Sequence, residues 1–201
     1  MDAHAPRTRP NPRDYIQTAA TGNALSRRAA IYGASNIVLG GKCIVEHRAI
    51  LRGDLQRTVR AEGDERSSAV VIAMGRYGHV GEHAVLRPPH KTYKGLFSYF
   101  PLRLGDHVTI GARTVVEAAQ IGSHVEIGAD CVLGAFCIVR DAAVILDGAV
   151  LAPHTIVPSM TIFGGSPARI VDRLPESFED QCEARSREAY GAFRAALGHR
   201  P

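Results

Sequence analysis

Tryptophan is absent from this 201-residue chain, and the aromatic residues together make up only 6% of it. A core built on large rings is therefore excluded. Val, Ile, Leu, Ala and small residues must fill it. No apolar run approaches the roughly 20 residues needed to cross a bilayer, so direct membrane insertion is not expected. The opening stretch, MDAHAPRTRPNPRDY, is basic and proline-rich and has no apolar h-region, which argues against a secretory signal. None of Cys43, Cys131, Cys137 and Cys182 forms a CxxC pair, so a zinc knuckle and a redox motif both drop out. Reduced cytosolic thiols are the simplest expectation. The formal net charge of +4 comes in part from Arg7, Arg9, Arg13, Arg27 and Arg28. Without interleaved aromatics these read as a solvated arm, not a nucleic-acid surface. What is present, a 45% hydrophobic content, is that of a globular domain.

The apolar residues have a period of their own. From Ile121, steps of six meet Ile127, Leu133, Val139, Ile145, Leu151, Val157 and Phe163, every one large and apolar. Four residues after each of the first seven stands a small or β-branched residue: Val125, Cys131, Cys137, Ala143, Ala149, Thr155 and Thr161. Upstream, Leu104, Ile110 and Val116 keep the register, which slips by one before Ile121. Met74, Val80 and Leu86 repeat it, and Ile31, Ile37 and Cys43 are expected to begin it. A period of six fits neither a helix nor plain strand alternation. It fits a triangular prism in which each hexad supplies a strand and a corner, and three hexads close a coil. The fold class expected is all-β: a left-handed parallel β-helix of hexapeptide repeats with a C-terminal α-helix. The left hand is taken from the hexapeptide class, because ordinary crossovers are right-handed.

The chain divides into an N-terminal arm and lead-in over 1–30, the β-helix over 31–169, and a C-terminal helix and tail over 170–201. Two segments break the repeat. Residues 60–69, RAEGDERSSA, are polar and read as a surface loop. Residues 88–103 hold Tyr93, Phe97, Tyr99 and Phe100. An aromatic loop is a candidate partner-binding element, and Arg87 borders it. The rings folding back onto the prism is the equally open alternative. Past Pro175, Ser177 is placed to cap a helix with Asp180 three residues on. Phe178, Cys182, Ala189, Phe193 and Leu197 then recur at helical spacing and would line one prism face.

Hexapeptide β-helices include acyltransferases and γ-class carbonic anhydrases, usually trimers with sites between prisms. Arg52-Gly53-Asp54 and the segment GSPARIV resemble parts of the anhydrases. That resemblance puts Arg87, Ala112 and Glu117 at the three metal-ligand positions. Zinc needs three converging donors, which this set does not supply, so no metal and no cofactor are expected. Acyl transfer needs a histidine base facing a groove. The candidates are His47, His79, His83, His90, His107, His124 and His154, mostly at corner or outward positions, with His90 nearest the aromatic loop. No catalytic residue is assigned. Arg52 and Asp54 read as a structural pair around a corner glycine.

A more specific likeness runs in order from Tyr15 to Pro175. It is carried by Tyr15-Ile16-Gln17-Thr18, Thr21-Gly22-Asn23, Ser26-Arg27, Ser35-Asn36-Ile37-Val38-Leu39 and Ile50-Leu51-Arg52-Gly53-Asp54-Leu55. It continues through Val85-Leu86-Arg87-Pro88-Pro89, Phe100-Pro101-Leu102, Leu104-Gly105-Asp106-His107-Val108, Ala118-Ala119-Gln120-Ile121-Gly122-Ser123, Ile145-Leu146-Asp147 and Val157-Pro158. Hexad periodicity does not require Arg-Pro-Pro or Ala-Ala-Gln-Ile-Gly-Ser. The chain resembles the dynactin subunit 5 family. The resemblance implies a non-enzymatic subunit at the pointed end of dynactin's actin-like filament, supporting dynein-driven transport and cargo-adaptor engagement. It implies dynactin subunit 6 (a sister β-helix), dynactin subunit 4, the pointed-end actin-related protein and dynein cargo adaptors as partners, and a cytoplasmic, cytoskeleton-associated location. The polar insert, the N-terminal arm and the C-terminal helix depart from the family pattern. The competing class is a hexapeptide-repeat enzyme, anhydrase-like or acyltransferase.

Overall fold

Each short apolar strand ends at a corner residue in left-handed backbone conformation, and repetition of that unit bends the chain through a triangle. A computed structural model describes residues 11–56 and 70–198. Three parallel sheets form the walls of a left-handed β-helix, here called faces A, B and C, and the chain visits them in that order. Face A is built from Ala24–Ser26, Ile44–Val45, His79–Val80, Thr109–Ile110, Val125–Ile127, Ala143–Ile145 and Thr161–Gly164. Face B stacks Ala30–Tyr32, Ile50–Arg52, Val85–Leu86, Val115–Val116, Val132–Leu133 and Val150–Leu151. Face C stacks Ile37–Gly41, Ile72–Arg76, Leu102–Leu104, Gln120–Ile121, Ile138–Val139 and Ile156–Val157. Antiparallel strands Tyr15–Gln17 and Arg169–Arg173 close the two ends of face A.

The inward residues are those of the period. Ile121, Ile127, Leu133, Val139, Ile145, Leu151, Val157 and Phe163 are all buried, none more than 6% exposed. Cys131 and Cys137 fill small positions between them as buried thiols, and burial pushes both above the ordinary thiol range. Full burial of each such aliphatic side chain contributes about 1.5–3 kcal/mol, so the stack, not any one coil, carries the stability.

Corner residues stack from coil to coil. Lys42, Tyr77, His107, His124, Ala142 and Met160 line the edge between faces C and A, with φ between 52° and 58°. Arg48, His83, Arg113 and Asp130 line the edge between A and B, and Phe136 and His154 the edge between B and C. The left-handed region costs an L-residue about 1–2 kcal/mol. The corner N–H groups offset this by bonding the coil before, as His124 N does to Asp106 O at 2.9 Å and Asp130 N to Ala112 O at 2.9 Å. Close stacking also dictates glycine at some corners. A Cβ on Gly111 would lie 2.4 Å from the Gly128 backbone.

The first coil corrects the sequence reading. Ile31 keeps its place, but Leu39 and Val45, not Ile37 and Cys43, stand in register with Met74 and Val80. Ile37 pairs with Ile72 instead, and Cys43 occupies a small position. The cause is the 3-10 turn Ala34–Asn36, which lengthens that corner by two residues. The one-residue slip before Ile121 is the opposite case, a shortened corner at Glu117-Ala118-Ala119. Both lie on the edge between B and C. The interruptions that follow Arg52 and Leu86 fall on the same edge, in adjacent coils. The second excursion is a β-hairpin, His90–Tyr93 with Leu96–Tyr99. The polar segment 60–69 falls outside the described residues. On the other two edges the inward residues keep the six-residue step throughout.

Helix α1, Phe178–Ala196, runs back along the prism. Ser177 holds the N-cap position, but its side chain makes no capping bond to the backbone, contrary to expectation. Its ψ of 2° is not the extended backbone from which a cap hydroxyl reaches the first turn. Ser177 Oγ instead accepts from Gln181 Nε2 at 2.9 Å.

Candidate functional site

The edge between faces B and C gathers the residues that sequence reasoning singled out. Arg87 leaves the prism just after Val85–Leu86, and Glu117 sits in the same place one coil on. Their side chains form an ion pair, Arg87 Nη2 donating to Glu117 Oε1. Two of the three anhydrase-like positions are thus joined by a salt bridge, and the third, Ala112, lies on the far edge of face B. Arg87 Nε is buried and has no hydrogen-bond partner among the described residues. One coil earlier, Arg52 grips Asp54 through two bonds of 2.8 Å, holding that carboxyl below the usual range. A Cβ on Gly53 would lie 2.5 Å from Ile37 Cγ1, so the turn between them requires glycine.

The aromatic residues of the excursion divide into two groups. Phe97 and Tyr99 pack edge-on at 5.0 Å and enclose His90, whose ring centroid is 5.3 Å from that of Phe97. Leu96 and Phe97 remain 60% and 44% exposed. Tyr93 pairs with Leu96 beside the hairpin turn. Phe100 folds back, contacting Phe136 at 5.4 Å, and Phe136 stacks on His154. The hairpin therefore offers a small apolar tip, while Phe100 belongs to the prism edge.

Four further histidines, His47, His79, His107 and His124, are engaged within the scaffold, whereas His83 is exposed at its corner. His47 stacks on Tyr15 and meets Ser26 Oγ at 2.5 Å, and His79 pairs with Glu46 at 2.7 Å. His107 stacks between Tyr77 and His124, at 5.0 and 5.2 Å. Burial, and then the neighbouring His124, lower the His107 pKa. A cavity of about 20 Å³ lies under α1, between Lys42, Tyr77, His79 and Tyr190. That is room for about one water, not an acyl donor.

Faces A and B differ most in what lies on their outer sides. On face A the outward column is Ala24, Ile44, His79, Thr109, Glu126, Val144 and Ile162. Helix α1 covers it. Phe178 and Cys182 pack against Ala142, Val144 and Met160, and Phe193 and Leu197 against Tyr15 and Ala24. Arg185 bonds Glu126 at 2.6 Å, and Tyr190 Oη donates to Gly22 O at 2.7 Å. Burial raises both Cys182 and Tyr15 to about 12. On face B the outward column is Ala30, Ile50, Val85, Val115, Val132 and Val150, aliphatic at every level. No hydrophobic cluster among the described residues packs a further element onto it. Ion pairs border it on both sides: Arg52–Asp54 and Arg87–Glu117 on one edge, Arg113–Asp130 on the other. An apolar centre with a charged rim is the anatomy of a protein interface. The sequence reading missed this row. Its signal was present: in one hexad of three, an aliphatic residue directly precedes the inward one.

Parallel walls and stacked corner residues define a hexapeptide-repeat left-handed β-helix protein. Solved structures agree on the fold. A hexapeptide transferase family protein from Anaplasma phagocytophilum superposes with a TM-score of 0.61 at 18% identity, covering 94% of this chain and 99% of that one. The acetyltransferase domain of PglB from Neisseria gonorrhoeae gives 0.56 at 14% identity, over 75% and 58% of the two chains. Within that class the sequence is more particular. Residues 8–195 match the dynactin subunit 5 family, and the chain belongs to it. A dynactin subunit 5 from Dictyostelium discoideum is 38% identical over 109 residues, 54% of this chain and 48% of that protein. The match thus spans about half the length of this curated relative. No helix among the described residues is long and apolar enough to cross a membrane.

Proposed function

We propose that the protein is a non-enzymatic structural subunit of the dynactin pointed-end complex, cytoplasmic and cytoskeleton-associated, supporting dynein-driven transport and cargo-adaptor engagement. The observation that carries this reading is the aliphatic outer column of face B, bordered by ion pairs. A flat row of side chains at the parallel-strand spacing suits another flat wall, because side chains repeating at the same interval interdigitate. The partner proposed for that wall is the sister β-helix, dynactin subunit 6. Dynactin subunit 4, the pointed-end actin-related protein and dynein cargo adaptors complete the proposed set, with Arg87, Tyr93, Phe97, Tyr99 and Phe100 on the neighbouring edge as candidate contacts.

The test is capture from a native extract followed by mass spectrometry. The wild-type chain is expected to recover a second β-helix protein with actin-related and dynein-associated chains. A Val115→Asp, Val132→Asp double variant is expected to lose the β-helix partner while keeping its own fold. Recovery of none of these chains by the wild type, together with saturable acetyl-CoA binding, would instead favour the enzyme class.

A further inference from the structure

His107 and His124 occupy the same left-handed corner position in successive coils, because Ile110 and Ile127 beyond them are in register. Their side chains leave the prism in parallel and stack at 5.2 Å with 5° between planes. Helix α1 passes over this point and brings Glu183 to it. One ligand atom from each of His107, His124 and Glu183 lies within 4.8 Å of the other two. We propose that these three side chains form a site for a divalent transition-metal ion of the Zn²⁺ type, clamping α1 onto the corner between faces C and A.

Three observations support the site. First, the donor set is two imidazoles and a carboxylate, which suits zinc and disfavours magnesium or calcium, ions that take all-oxygen shells. Second, the neighbours orient His107. Ser186 Oγ donates its one proton to Glu183 O at 2.9 Å, so at 2.6 Å it must accept from His107 Nδ1–H. This leaves the lone pair on Nε2, and an outer partner on the other ring nitrogen is the usual support of a metal-bound histidine. Third, His107 is only 8% exposed and held between Tyr77 and His124, so one ligand is already fixed. An ion must lie in the plane of each ring it binds, and two parallel stacked rings cannot share such a point. His124, with 21% of its side chain exposed, is therefore the ring that turns. Tetrahedral bonds of about 2.0–2.1 Å require the donors to close to about 3.4 Å. Glu183 Oε1 pairs with Arg187, while Oε2 lies 4.0 Å from His124 Nε2 and is the oxygen that takes the ion. A water would complete the shell.

The experiment uses the full chain, stripped with chelator and titrated with ZnCl₂ alone, by calorimetry and thermal unfolding. One-to-one binding in the micromolar range and a rise in Tm are expected. MgCl₂ is expected to do nothing. His124→Phe keeps a ring to stack on His107, and Phe136 shows that phenylalanine is accepted at such a corner. Glu183→Gln removes the carboxylate's charge from a partly exposed position while keeping the side chain's shape. Each is expected to weaken Zn²⁺ binding by more than the roughly 10–100-fold cost of losing an outer partner, with the metal-free Tm little changed. If His124→Phe does not fold, Glu183→Gln alone decides. Absence of saturable binding up to about a hundred micromolar, or equal affinity in wild type and Glu183→Gln, overturns the site.

Discussion

Face A and face B have the same inner surface and opposite outer ones. Both line the core with stacked aliphatics, yet α1 seals face A, and antiparallel strands finish its two ends. Face B carries the more uniformly apolar outer column and is left without such a cover among the described residues. Sealing thus does not follow hydrophobicity within this chain. The covered wall holds His79, Thr109 and Glu126 and is joined to the helix by hydrogen bonds and an ion pair as well as by apolar contact. The uncovered wall offers area and little polarity, which is what association between separate chains uses.

The largest effect should come from removing a contact that seals face A. Phe178→Ala is expected to cost about 3–4 kcal/mol by urea unfolding, since it empties the site between Ala142, Val144 and Met160. Next comes a matched pair. Val144→Asp, under the helix, is expected to lose about 2–3 kcal/mol because a carboxylate is placed against apolar neighbours. Val132→Asp, 42% exposed on face B, is expected to stay within about 0.5 kcal/mol while reducing partner capture. Equal losses for the two would erase the distinction between the walls. A smaller effect is set by pH. Cys182 and Tyr15 both lie under α1, where burial raises their pKa values to about 12 from the ordinary 9.0 and 10.0. Their neutral forms are favoured by folding, so this stability is complete below about pH 9 and is lost as pH rises toward 12. Unfolding at stepped pH should show that loss, and Cys182→Ala should flatten its lower part. Arg113→Ala should change Tm by nothing measurable, because its pair with Asp130 is open to solvent.

The regular part of the prism was legible because inward residues obey one spacing. From Ile121 to Phe163 every large residue named by period is buried. The first coil was misread because a 3-10 turn shifts the register, and Ile37 and Cys43 are apolar enough to hide the shift. The Arg52–Asp54 pair was legible from a local motif. The Arg87–Glu117 pair joins residues thirty positions apart, and pattern alone could not show that two failed ligands would meet. Face B escaped notice for a similar reason. Its members are seventeen or more residues apart in sequence and become neighbours only when the coils stack.

Among the described residues, every change of corner length falls on the edge between faces B and C, including the hairpin that turns at Gly95. The prism can therefore be read as a scaffold with one permissive seam, where inserted chain leaves and returns without altering the order of the walls. A Cβ placed on Gly95 meets nothing within 4 Å. A short epitope grafted after that residue should project outward with the ladder undisturbed, giving a handle by which one edge of the prism can be located in an intact assembly.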